Sequence, residues 1–125
     1  MAGIAPGALA ACSTAGVRKG GPGDAKAGAV LAKVSAIPVG GGALVNAGTN
    51  GLLLVVAPKA GQLKAYNPTC PHAGAIVSPP QNGIITCPAH GSRFNPENGA
   101  VEQGPAPTGL TSVGVTVSKG NVLLA

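Results

Sequence analysis

Two short loops that each contain one cysteine and one histidine place the strongest constraint on how this chain can fold. Cys70 and His72 form the first pair, and Cys87 and His90 form the second. An Asn-Gly turn signal and a short strand-like run, residues 82–86, lie between the pairs. Two loops at neighbouring strand ends can bring two thiols and two imidazoles together, so the sequence predicts a metal centre there.

Short apolar runs separated by turn residues fill the chain from about residue 29 onward. They are rich in Val, Leu and Ile, as in LLLVVA at residues 52–57. No run keeps a helical apolar period for three turns without a Gly or Pro. Short β-branched segments between turn signals are typical of small antiparallel domains, so the sequence predicts an all-β fold.

Composition divides the chain into three segments. Residues 1–12 are small and apolar, without charge, and residues 13–28 contain the Gly, Ala, Ser and charged residues of a flexible linker. The domain is predicted at residues 29–125, with the metal-binding loops at about 67–95. No run of about 20 apolar residues is present, so no transmembrane helix is predicted.

Composition also limits the core and the kinds of partner. Of 125 residues 45% are apolar, yet Phe and Tyr occur once each and Trp is absent. A core of small aliphatic side chains gains stability from a bound metal. The formal net charge of +5 can steer an acidic protein partner. Nucleic-acid binding is not expected, because basic runs and aromatic residues for base stacking are missing.

Two cysteines and two histidines are compatible with more than one metal centre. Zinc accepts such a set tetrahedrally, although zinc modules more often pair like residues within one loop. A two-iron, two-sulfide cluster, with both cysteines on one iron and both histidines on the other, fits mixed loops directly. A disulfide between Cys70 and Cys87 would leave the two histidines unexplained. The cluster is therefore the preferred interpretation, and a structural zinc ion is the alternative.

The motifs C-x-H and C-x-x-H, followed by Gly-Ser-x-Phe, resemble the Rieske iron–sulfur domain. The resemblance covers residues 30–125 and implies stacked antiparallel sheets with a small cluster-binding subdomain at one end. It implies one [2Fe-2S] cluster per chain, held by Cys70, His72, Cys87 and His90. It also implies that residues 104–107, the proline loop Gly-Pro-Ala-Pro, cover the cluster.

The resemblance also assigns roles to residues around the ligands. Gly74 and Gly91 match the glycines of the two loops, and Pro105 belongs to the covering loop. The Ser92 hydroxyl would donate a hydrogen bond toward a bridging sulfide. Phe94 stands where high-potential members often have a tyrosine that donates to a cysteine sulfur. Without that donor we expect a potential in the lower half of the range of about −150 to +300 mV.

A second departure from the high-potential members concerns a disulfide. In the respiratory subunits each loop carries an extra cysteine, and the two are bonded. The matching positions here are Ala75 and Ala89, so that disulfide cannot form. The site is therefore closer to the Rieske-type ferredoxins than to the quinol-oxidising subunits.

A lipobox-like sequence, Leu9-Ala10-Ala11-Cys12, lies at the start of the chain. Cys12 would be the lipidated residue, although the preceding stretch is short and has no basic residue. The hypothesis that follows is an exported lipoprotein of the cell envelope that meets the membrane only through Cys12. The alternative is a soluble cytoplasmic ferredoxin.

The histidine count limits the function. An oxygenase with a Rieske domain needs a second iron site with two more histidines and a carboxylate, and the chain has no histidine beyond His72 and His90. We therefore expect an incomplete catalyst: a one-electron carrier whose redox partner docks at the tip formed by these two histidines. The alternatives are the iron–sulfur subunit of a cytochrome bc-type quinol-oxidising complex and a zinc-stabilised structural module.

Overall fold

The computed structural model describes residues 19–71 and 74–125 of the chain, and nearly all regular structure in this part is strand. A short 3-10 turn, Val34–Ala36, follows the second strand. The all-β prediction is therefore confirmed. In chain order the strands are β1 (Lys19–Gly20), β2 (Val30–Lys33), β3 (Gly42–Ala47), β4 (Gly51–Lys59), β5 (Gln62–Tyr66), β6 (Ser78–Gln81), β7 (Ile84–Thr86), β8 (Arg93–Phe94), β9 (Val101–Gln103), β10 (Ser112–Val113), β11 (Val115–Ser118) and β12 (Asn121–Leu124).

The strands of the described residues form three sheets. The largest has the order β1-β4-β5-β10, with β3 also paired to β4. Strands β11, β12 and β2 form a second sheet, and strands β6 to β9 form a third in sequence order. The strand pairs are antiparallel except for β1 and β4, which run parallel. The third sheet leads directly into the second cysteine loop and forms the small subdomain at one end.

Strand β4 separates two hydrophobic cores. Successive side chains of a strand point to opposite faces. Leu54 and Val56 accordingly pack with the residues around the two cysteines, in what we call the first core. Leu53 and Val55 face the second core, which contains residues of β2 and β12. All four side chains are 0% exposed, and burial on both faces explains the unbroken apolar run in this strand.

The Asn-Gly turn predicted between the cysteine pairs closes a hairpin that positions the second loop. Strands β6 and β7 pair antiparallel, with Gln81 opposite Ile84. The turn residues Asn82 and Gly83 both have positive φ, 54° and 78°, as a two-residue turn of the primed type requires. Because β7 ends at Thr86, the next residue is the cysteine of the second loop.

Residues 19–28 were assigned to a flexible linker from composition, but they lie against the domain. Strand β1 pairs with the first residues of β4. The Asp24 carboxylate accepts hydrogen bonds from the Thr49 hydroxyl and from the Thr49 N–H, the latter at 2.7 Å. These bonds hold the pKa of Asp24 below its ordinary value. The ordered region therefore starts before Ala29.

Residues 1–18, which include Cys12, lie outside the described residues. In the part of the chain that the structure does describe, no helix combines the length and the apolar character needed to cross a bilayer.

Candidate metal centre

The two cysteine loops have the same backbone closure. In each loop the cysteine carbonyl accepts a hydrogen bond from the N–H of the glycine four residues later, Gly74 at 2.8 Å and Gly91 at 2.9 Å. The cysteine N–H donates to the carbonyl of the residue that follows this glycine. That residue is Ala75 in the first loop, at 2.7 Å, and Ser92 in the second, at 2.8 Å. Both glycines have positive φ, 71° and 80°, a conformation that residues with a side chain rarely adopt. The same two backbone hydrogen bonds therefore close both loops.

The two cysteines lie next to each other in the first core. Cys70 is 1% exposed and Cys87 is 0% exposed, and they are thiols that are not joined in a disulfide. Burial raises the pKa of the Cys87 thiol above its ordinary value, and the Cys70 thiol raises it further. The backbone N–H groups of Ala89 and His90 oppose this shift because they donate to the sulfur.

This donor set fits an iron–sulfur centre on the thiol side. Two thiolates in an apolar core are costly unless a positive charge compensates them, and a pair of ferric ions would do so. His90 is exposed, so its imidazole lies at a different depth from the buried sulfurs. The fourth predicted ligand, His72, lies outside the described residues.

Within residues 19–71 and 74–125, no three Cys, His, Asp or Glu side chains are gathered closely enough to hold one ion. His72, one of the four predicted ligands, lies outside these ranges.

Ser92 connects the second cysteine loop to the proline loop. The residue is 0% exposed, and its Oγ accepts a hydrogen bond from the Ala106 N–H at 3.0 Å. Ala106 packs into the first core together with both cysteines, whereas Pro105 is exposed. Sequence reasoning missed this contact because its donor is a backbone amide 14 residues away, for which no side-chain pattern exists.

The two aromatic side chains lie in the same core as the cysteines. Phe94 is 0% exposed and Tyr66 is 1% exposed. The Tyr66 hydroxyl donates to the Pro96 carbonyl at 2.8 Å. Burial raises the pKa of Tyr66, and the charge of Glu97 raises it further. The single tyrosine of the chain thus fixes the turn after β8.

The structure brings most of the sequence-predicted site residues together. Both cysteines, both loop glycines, Ser92 and Phe94 belong to the two loops or the first core, and Pro105 lies on the loop next to them. Cys12 and His72 lie outside the described residues.

Comparisons with known proteins agree with this geometry. Residues 28–114 match the model of the Rieske [2Fe-2S] domain family. The cytochrome b6-f complex iron–sulfur subunit of Gloeobacter violaceus is 46% identical over 61 residues, which are 47% of this chain and 32% of that protein. The chain spans about a third of the length of the curated relatives it matches.

Two solved structures match this chain over most of their own length. The plasma-membrane Rieske protein of Synechocystis has a TM-score of 0.66 at 32% identity, with 77% of this chain and 97% of that chain covered. A ferredoxin of Sphingomonas yanoikuyae has a TM-score of 0.67, with 78% and 96% covered. Its 24% identity shows the shared fold alone.

Proposed function

Because this chain belongs to the Rieske [2Fe-2S] domain family, we propose that it is a one-electron carrier whose cluster is held by Cys70, His72, Cys87 and His90. The observation that carries the proposal is the pair of buried, adjacent thiols on two loops with the same backbone closure. The cluster, when bound, supplies reversible one-electron chemistry at a potential raised by imidazole ligation.

The residues of the chain keep water from the thiol side and stabilise negative charge there. Cys70, Cys87 and Phe94 are at most 1% exposed. The N–H groups of Ala89 and His90 donate to the Cys87 sulfur. Hydrogen bonds to sulfur favour the more negative, reduced state and thereby raise the potential.

The exposed side of the site is where a partner would receive or deliver the electron. His90 is exposed on the second loop, and Pro88 and Ala89 beside it are also exposed. A partner that docks on this tip approaches the imidazole side, while the thiols remain in the core. The proposal therefore places the redox partner at the tip formed by His72 and His90.

Metal and sulfide analysis of anaerobically purified protein tests the cluster. We expect a red-brown protein with iron and acid-labile sulfide in equal amounts. Cys87→Ser should lose the colour, whereas Ser112→Ala, an exposed change in β10, should keep it. Colourless protein that contains zinc would contradict the proposal and support the zinc-stabilised module.

A second candidate function is the iron–sulfur subunit of a cytochrome complex. It is favoured by the 46% identity to the Gloeobacter violaceus subunit. Ala75, Ala89 and Phe94 favour the carrier instead, because they lack the disulfide and the tyrosine hydroxyl of the high-potential members. Oxidation of quinol by a cytochrome complex that contains this domain would support the second candidate.

A lipid anchor at Cys12 belongs to the same proposal. It is supported by the sequence Leu9-Ala10-Ala11-Cys12 and by the likeness to a plasma-membrane Rieske protein. Incorporation of labelled palmitate into the full chain, and its loss in Cys12→Ala, would support the anchor. Full-chain protein that carries no label and stays in the soluble fraction would favour the soluble ferredoxin.

A further inference from the structure

Ser92 holds two parts of the site with two different atoms. Its carbonyl accepts the Cys87 N–H at 2.8 Å, and its Oγ accepts the Ala106 N–H at 3.0 Å. Because Ser92 is 0% exposed, water does not compete for either bond. From this juxtaposition we propose that Ser92 is a positioning residue that latches the proline loop onto the loop that carries Cys87. The latch itself is a property of the fold, and only its expected effect, a longer lifetime of the bound cluster in air, rests on the proposed function.

The proline loop is attached at both ends by the strands and turns that flank it. Gln103, just before the loop, pairs with Arg93 of β8. Leu110, just after it, donates its N–H to the Gly99 carbonyl at 2.8 Å. The middle of the loop lies between these two attachments, and the contact with Ser92 is made there.

Ala106 is the residue through which the middle of the loop is held. Within residues 104–108 it is the buried one, at 6% exposure, while its neighbours are exposed. Pro105 and Pro107 have no amide hydrogen to donate. The Ala106 N–H therefore provides a donor at the centre of the loop, and its methyl group packs with both cysteines.

A hydroxyl is well suited to this position. An oxygen that accepts one hydrogen bond keeps its own hydrogen, so Ser92 can hold the proline loop and still donate elsewhere. Alanine at this position would leave a buried N–H without its acceptor, which costs more than the bond contributes. The matching residue of the first loop is Ala75, which has no hydroxyl. The two turns thus share their closing hydrogen bonds but differ in this contact.

Hydrogen–deuterium exchange of the cluster-loaded protein tests the latch without any substitution. Mass spectrometry of a peptide that spans residues 104–110, with electron-transfer fragmentation, separates the Ala106 amide from those of Thr108, Gly109 and Leu110. Leu110, bonded to Gly99, gives an internal reference. We expect Ala106 to exchange at least about 100-fold more slowly than in an unfolded peptide. Exchange at the unfolded rate would overturn the proposal.

Substitutions at Ser92 test the acceptor. Ser92→Ala should speed exchange at Ala106 by about tenfold or more, with Leu110 changed by less than about twofold. Ser92→Thr keeps the hydroxyl and should restore slow exchange, and Ser112→Ala should have no effect. Unchanged exchange at Ala106 in Ser92→Ala would show that the serine does not hold the loop.

A substitution of the hydrogen-bond donor, Ala106, tests the latch even where Ser92→Ala does not fold. Ala106→Pro removes the N–H without changing the serine, and we expect it to shorten the lifetime of the bound cluster in air. A lifetime equal to that of the wild type would overturn the latch. Iron and sulfide content reports on the proposed function separately, because a chain without a cluster but with slow Ala106 exchange would contradict the function and keep the latch.

Discussion

Phe94 lies fully buried in the core that also contains both cysteines. Its ring excludes water but offers no hydrogen-bond donor to a sulfur. In the resembling high-potential members a tyrosine hydroxyl at this position donates to a cysteine sulfur. A donor stabilises the reduced state, which carries more negative charge on its sulfurs. At the scale of a single residue, the absence of one oxygen atom is therefore expected to lower the potential.

Phe94→Tyr should raise the potential of the bound cluster. A donor that stabilises the reduced state by about 1–2 kcal/mol more than the oxidised state corresponds to a rise of about 40–90 mV. A redox titration measures it. Tyr66→Phe is the matched control, because the Tyr66 hydroxyl donates to Pro96 and its removal should leave the potential nearly unchanged. An equal or lower potential in Phe94→Tyr would contradict this account.

Gly91 has φ of 80° and open space where a Cβ would lie. Gly91→Ala should therefore lower the free energy of unfolding through backbone strain alone, by about 1 kcal/mol. Gly61→Ala is the control, with φ of 76° and equally open space in the β4–β5 turn. In denaturant titrations, we expect the two variants to lose similar amounts of the free energy of unfolding. Only Gly91→Ala should shorten the lifetime of the bound cluster. Equal lifetimes would show that the loop geometry is not needed to retain the cluster.

At the scale of the element, structure that depends on side-chain pattern could be predicted from the sequence, whereas structure that depends on backbone hydrogen bonds could not. The turn at residues 82–83 and the strand nature of residues 52–57 follow from turn residues and β-branched runs, whereas the pairing of β6 with β7 does not. Strand β1 has no such pattern, because a two-residue strand, Lys19–Gly20, is held by backbone hydrogen bonds to β4. The paired cysteine loops were predictable from residue types, whereas the bond from Ala106 to Ser92 was not, because a backbone donor leaves no mark in sequence.

The opposite faces of β4 give a matched pair of substitutions. Leu53 and Leu54 are both 0% exposed, so Leu53→Ala and Leu54→Ala should each lower the free energy of unfolding by about 3–5 kcal/mol. Leu54 packs in the core of the cysteines and Leu53 in the other core. We expect Leu54→Ala alone to shorten the cluster lifetime, measured by the decay of visible absorbance. Equal shortening by both changes would argue against separate cores.

The hydrogen bonds from Thr49 to Asp24 should make the stability of the fold fall in acid. The Thr49 hydrogen bonds lower the pKa of Asp24 from 3.8. The stabilisation is therefore complete above that value and is lost as the pH falls through the lowered pKa. The Tm difference between wild type and Asp24→Ala should be constant near neutral pH and should shrink below pH 3.8. A difference that persists undiminished in acid would exclude the carboxylate as its source.

At the scale of the whole molecule, the described parts of the tip carry no acidic side chain and no Lys or Arg. Residues 70–71, 74, 87–92 and 104–108 contain no Lys, Arg, Asp or Glu. The exposed positions are Pro71, Gly74, Pro88, Ala89, His90, Gly104, Pro105, Pro107 and Thr108. The charged residues nearest in sequence, Arg93 and Glu102, are opposite in sign, so the net charge of +5 gives these loops no surplus of either sign. Partner contact at the tip is expected to depend on shape and apolar surface more than on charge.

Electron exchange at the tip should therefore depend little on salt. Ferricyanide and tris(1,10-phenanthroline)cobalt(III) are small oxidants of opposite charge, and stopped-flow absorbance gives the rates at which each takes one electron from the reduced cluster. Above about 0.1 M salt the Debye length is at most about 10 Å, so only charges near the tip act. We expect both rates to change by less than about threefold up to about 0.5 M. Steep changes of opposite sign would reveal a charged tip.

Strand β4 also has a consequence for how this sequence can change over time. Substitutions at distant sites without shared neighbours are nearly additive in their effect on stability. Residues of the second core on other strands, such as Val122 of β12, can therefore be exchanged for other aliphatic residues while the packing around the cysteines stays as it is. The choice of residues in the first core is restricted by the need to hold the cluster, and the choice in the second core is restricted by side-chain volume alone. The same central strand thus allows the body of the protein to diverge around an unchanged electron-transfer centre.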